Sequence, residues 1–151
     1  MLTLYALHTI SNICFKTIYY TTAKSVALIT HIISENKDFH LLNELMIKTD
    51  IFHKMKKMNQ LIIDIDHKYT NCMLQESLKL SIDDLNDIIK QINQVFEMCI
   101  QSKKQHELLY FNQWRSYDIT EQIKKIQLYI DIFNIRYDDF VKMVMLVNYL
   151  F

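Results

Sequence analysis

Glycine and proline are both absent from this chain of 151 residues, where ordinary usage would supply about ten of the first and about eight of the second. The lack of glycine argues against tight β-turns, phosphate-cradling glycine-rich loops and dinucleotide fingerprints, all of which need φ > 0 or close backbone approach. Arginine is nearly missing as well, present only as Arg115 and Arg136. Scarce alanine beside abundant Ile, Lys, Asn, Tyr and Phe points to an AT-rich genome, yet such bias alone leaves some glycines behind. Net charge is also lacking. The 17 basic side chains balance the 17 acidic ones, so no general attraction to nucleic acid is expected. Three cysteines, Cys14, Cys72 and Cys99, are an odd number at wide spacing. They suit a reduced compartment and small core residues better than a disulfide framework.

What is present is helical periodicity. Leu85, Ile88, Ile92, Val95, Phe96, Cys99 and His106 recur at spacings of three and four, which lines one side of a helix. Ser81 stands before this run as an expected N-cap, with Leu80 and Leu85 as a hydrophobic staple. Asp118-Ile119-Thr120-Glu121 offers a second start, followed by Ile123, Ile126, Ile130 and Phe133. The two segments make a helical hairpin over 80–135. Its expected core is Leu85, Ile88, Ile92, Phe96, Cys99, Ile123, Ile126, Ile130 and Phe133. The fold class is all-α: one domain over 1–151, a single helical bundle of four to five main helices. They are mostly antiparallel because the connections are short.

The first half supplies further helices. Leu4, Leu7, Ile10, Cys14, Ile18, Leu28 and Ile32 fall at helical spacing, with Tyr19-Tyr20-Thr21-Thr22 as an expected interruption or bend. Lys16 and Lys24 break any comfortable membrane span of ~20 residues. No basic segment precedes this stretch and no small-residue cleavage site follows, which argues against a secretory signal. A cytosolic location, in a cell or an infected host, is expected, with membrane-peripheral binding as the variant. Asp38 is the expected cap of a helix bearing Phe39, Leu42, Leu45 and Met46. Thr49-Asp50 marks a break before Phe52, Met55, Ile62, Ile65 and Tyr69. Residues 70–80 read as a connector. Arg136-Tyr137-Asp138-Asp139 reads as a last start, launching an apolar segment from Phe140 to Phe151. That segment is expected to dock on the bundle and leave some apolar surface exposed.

Catalytic patterns are weak. The six histidines include no His-Glu-x-x-His, and no Glu is followed three residues later by His, the spacing a di-iron bundle needs. Asp64, His67 and Cys72 form only a loose trio, so no metal and no cofactor are expected. Cys14 and Cys99 lie on apolar stripes, where a thiol is ordinarily inert. The candidate binding residues are the basic clusters Lys54/Lys56/Lys57, Lys103/Lys104 and Lys124/Lys125. Each is a solvated helix face in the plain reading, or a dock for anionic lipid or an acidic partner in the sharper one.

The run from Met98 to Phe111, Met-Cys-Ile-Gln-Ser-Lys-Lys-Gln-His-Glu-Leu-Leu-Tyr-Phe, passes from a helix through Ser-Lys-Lys into a Leu/Phe cluster. A later helix holds Ile123-Lys124-Lys125-Ile126. Together they resemble the third-to-fourth helix region of the N-terminal bundle of mixed-lineage kinase domain-like (MLKL) proteins and fungal HeLo-type cell-death domains. The first half has no match to that family's cysteine-containing basic helix. The resemblance implies a bundle that associates with itself or related bundles and engages anionic membranes, as an executioner or a decoy. Lys103, Lys104, Lys124 and Lys125 are the positions it carries over. From the residues themselves, the expectation is a non-enzymatic interaction module acting through protein–protein contacts, with self-association favoured by a pI of about 7.0.

Overall fold

The structure, a computed structural model, describes residues 13–35, 39–68, 76–109 and 118–150. They form five helices: α1 (Ile13–Ser34), α2 (His40–Thr49), α3 (Ile51–Lys68), α4 (Glu76–Glu107) and α5 (Thr120–Leu150). No strand occurs among the described residues, and the all-α bundle is the architecture. Leu4, Leu7, Ile10, Asp38, Tyr69, Cys72 and Phe151 lie outside the described residues.

Two hairpins build the bundle. In the first, α3 runs back along α1: Ile33 near the end of α1 shares a cleft with Phe52 at the start of α3. Farther along, Asn59 of α3 bonds to Tyr19 and Thr22 of α1. In the second, α5 runs back along α4, and Arg136 Nη1 donates to the Asp84 carbonyl at 2.8 Å. Between the hairpins α1 and α4 lie side by side and parallel, since Ser25 meets Asn93, Lys24 meets Glu97 and Glu35 meets Lys103. The short α2 turns the corner between α1 and α3.

The stripes go where the periodicity puts them. Leu85, Ile88, Ile92, Phe96, Cys99, Ile126, Ile130 and Phe133 are all buried, and Ile123 is half-buried against them. Burying one such aliphatic side chain contributes about 1.5–3 kcal/mol, so this cluster dominates the stability of the hairpin. Phe140 is buried at 0% exposure while Met145 and Leu146 remain exposed.

Four local expectations are overturned. Ser81 is not an N-cap, because α4 begins at Glu76 and takes in half of the presumed connector. Leu78, buried at 1%, extends the apolar stripe back by one turn and draws those residues into the helix. Leu80, the presumed staple, is 58% exposed. Arg136–Asp139 start nothing, since α5 runs through them without a break. Tyr137, packed against the core, and the buried Phe140 carry the apolar stripe on through these residues, and that docking prevails over the cap-like sequence.

The fourth is the interruption expected at Tyr19-Tyr20-Thr21-Thr22, a stretch that is helical throughout. Thr21 Oγ1 donates to the Thr17 carbonyl and Thr22 Oγ1 to the Ile18 carbonyl, both at 2.9 Å. Each hydroxyl thus finds its partner one turn back instead of competing with the helix. The two capped boundaries fare better. Asp118 Oδ1 accepts from the Thr120 hydroxyl at 2.5 Å and the Thr120 N–H at 2.9 Å. Those two bonds, the hydroxyl's first, hold the Asp118 carboxyl below its ordinary range. Asp50 separates α2 from α3 with φ of 54°, the one left-handed residue among those described. A chain without glycine must fill such a position with a short polar side chain, and aspartate tolerates it better than most.

Candidate functional site

The seven lysines singled out in the sequence do not converge. On α3, Lys54 is half-buried and donates to Asn134 Oδ1 of α5 at 2.9 Å. Lys56 lies 5.1 Å from the centre of the Phe52 ring, and Lys57 is exposed. On α4 the neighbours part ways: Lys104 is exposed while Lys103 is buried at 8%. The Lys103 ammonium pairs with Glu35 and stands 3.5 Å from Glu107 and 5.5 Å from the centre of the Phe39 ring. Lys103 therefore departs from the expected basic face, because its charge is spent inside the bundle, tying α4 to the α1–α2 corner. On α5, Lys124 and Lys125 are exposed, with Lys124 3.7 Å from Glu121.

Of the thiols and the loose metal trio, Cys72 lies outside the described residues. Cys99 is buried, and burial pushes its thiol up to about 12, so at neutral pH it is no nucleophile. Cys14 is half-buried. Asp64 is exposed and accepts from Gln60 Nε2 at 3.0 Å. Among the described residues, no group of three or more His, Cys, Asp or Glu is placed to hold a metal ion.

Two concavities stand out among the described residues. One is a polar groove of about 370 Å³ between α1 and α4, where Lys24 and Glu97 already satisfy each other at 2.5 Å. The other, about 350 Å³, sits at the corner where α1, α2 and α3 meet. The α2–α3 break creates it: with Asp50 left-handed, the start of α3 swings back under the end of α2. Ile33, Met46, Ile47 and Phe52 form its apolar wall, and Asn43, Asp50 and His53 its polar side. Met46 is buried, Ile33 is 46% exposed and Ile47 is 80% exposed at the rim. Sequence reasoning placed Met46 and Phe52 on apolar stripes but passed over Ile33, Ile47 and His53. The available signal was that Ile33 and Ile47 each follow a stripe residue and therefore fall off the buried side.

A second apolar feature is convex. Leu128 and Ile135 of α5 are 56% and 65% exposed, and stand roughly opposite the buried Ile126, Ile130 and Phe133. Among the described residues, no helix is long and apolar enough to cross a membrane. Comparisons of the chain with protein-family models, with curated proteins and with solved structures gave no match.

Proposed function

We propose that this protein is a non-enzymatic interaction module whose corner cleft between α1, α2 and α3 receives an apolar side chain or helix of a protein partner. The observation that carries this reading is Ile47, a large aliphatic group 80% exposed at the rim of a cleft walled by Ile33, Met46 and Phe52. Surface aliphatics scattered singly need no explanation, but a concave apolar wall with an exposed rim is the form a docking site takes. The Asn43, Asp50 and His53 side supplies the few polar groups that orient a guest. Catalysis would need a convergent acid, base or nucleophile, and the described thiols offer none that is activated.

Engagement of anionic membranes, implied by the MLKL/HeLo-type resemblance, is less well supported. Lys56, Lys57, Lys104, Lys124 and Lys125 would carry it, yet Lys103 is internal and Asp131, Asp138 and Asp139 share the exposed side of α5 with Lys124 and Lys125. An unbroken basic face is what such binding draws on.

The test is site-specific photo-crosslinking in extract of the native cell or host. A crosslinker in place of Ile47 should give a discrete protein adduct, lost when Phe52→Asp is added. The same crosslinker in place of Gln60, exposed on α3, should give none. Equal labelling from both positions, or none from position 47, overturns the proposal.

A further inference from the structure

The outer side of α5 is built to be covered. Leu128 and Ile135 lie seven residues apart, hence about 20° apart around the helix, with the half-buried Ile132 beside them. They form a seam facing directly away from the core. Its flanks are charged, with a lysine pair toward one end of the seam and an aspartate pair toward the other. Lys124 and Lys125 occupy the N-terminal half, while Asp138 and Asp139 occupy the C-terminal half, all four exposed. Lys124 and Asp138 fall on one flank of the seam, Lys125 and Asp139 on the other.

That arrangement is its own complement. When two copies of α5 pack antiparallel, each flank faces the same flank of the other copy. A two-fold axis passing between Asp131 and Ile132 sets Leu128 of one copy over Ile135 of the other. The same register brings Lys124 level with Asp138 on one flank and Lys125 level with Asp139 on the other, each within one residue. Every contact then occurs twice by symmetry, four attractive charge pairs around a double Leu–Ile layer. One feature opposes: Asp131 lies beside the axis and meets its own copy.

We infer that α5 is an isologous, antiparallel dimerisation face whose occupant is a second copy of this chain. The inference rests on the interaction-module reading and gives it a defined partner and surface, distinct from the corner cleft. Exposed ion pairs add little individually, so charge sets the register and the wrong-partner penalty while the apolar seam holds the copies together. The dimer is reversible, with a dissociation constant on the order of 10–100 μM, as expected for a small interface.

Sedimentation equilibrium of the full chain decides the matter. The wild type should show a monomer–dimer equilibrium. Two variants, K124E/K125E and D138K/D139K, each turn all four attractive pairs repulsive, and each should self-associate at least about tenfold more weakly. Mixed in equal amounts they should recover a heterodimer, because every flank pair is then again opposite in sign. Circular dichroism confirms that each variant keeps its helices, and recovery on mixing shows that loss of the homodimer is not misfolding. Asp131→Asn should tighten the wild-type dimer. A wild type that stays monomeric at several hundred micromolar, variants that dimerise like the wild type, or a mixture that stays monomeric overturns the inference. So does an Asp131→Asn variant that weakens it. None of these results bears on crosslinking at position 47, so failure here leaves the cleft reading standing.

Discussion

Asn59 and Asn93 set the centre of the molecule. Both are buried at 3%, and they grip α1 from opposite neighbours. Asn59 Nδ2 of α3 donates to the Tyr19 carbonyl at 3.1 Å and to Thr22 Oγ1 at 2.8 Å. Asn93 Nδ2 of α4 donates to the Thr21 carbonyl at 3.0 Å, and its Oδ1 accepts from the Ser25 hydroxyl at 2.6 Å. A buried amide is tolerated only when its partners are in place, so the network rewards one helix register over its neighbours. Asn93→Ala should cost about 1–3 kcal/mol in chemical denaturation, because Ser25 loses its inter-helix acceptor in the core. Tyr19 is the contrasting case. Its hydroxyl is buried without a hydrogen-bond partner among the described residues, so Tyr19→Phe should leave stability unchanged or raise it by up to about 1 kcal/mol. A large loss on Tyr19→Phe would show that the hydroxyl is satisfied.

At the scale of the element, helices start and stop here without the residues most proteins use. The α2–α3 boundary depends on Asp50 alone, held at φ 54° with its N–H donating to the Ile47 carbonyl at 3.3 Å. The same residue aims the first turn of α3 and thereby opens the corner cleft. Asp50→Val should cost about 1–2 kcal/mol, since a β-branched side chain is strained in that region, whereas Asp50→Gly should be neutral or slightly stabilising. Thermal melts of the two variants side by side check this. If valine is accepted as readily as glycine, the break does not need a left-handed residue. α5 makes the opposite point, as its cap-like Arg136–Asp139 lies within a continuous helix. Cap motifs mark a boundary only where the apolar stripe also ends.

For the whole molecule, burial in the shared core couples stability to alkaline pH. Cys99 is neutral in the folded state, with its thiol pushed up to about 12 from an ordinary 9.0 by burial. A raised folded value means that the native state holds the proton more tightly than the unfolded chain. The contribution is therefore complete below about pH 9 and is lost as pH rises toward 12, up to about 4 kcal/mol over that window. Denaturation curves between pH 8 and 11 should show the wild type losing stability more steeply than Cys99→Val, which has no such proton to lose. Parallel slopes for the two proteins would refute the coupling.

The sequence by itself determined the all-α class, the central hairpin and its core from Leu85 to Phe133. Each follows from local periodicity, which one strand of text contains in full. The break at Asp50 and the start near Asp118 were legible for the same reason, since each depends on one residue's own backbone or side chain. Tertiary structure alone decided the rest. Ser81 and Lys103 look like a cap and a surface cation until Leu78 is seen buried one turn earlier and Glu35 is seen beside the ammonium. Thr22 and Asn59 look like helix-weakening polar residues until the two are seen bonded to each other. The corner cleft joins Ile33 to Phe52 across α2. No periodicity encodes such a site, because it arises from the angle between elements rather than from the pattern within any one of them.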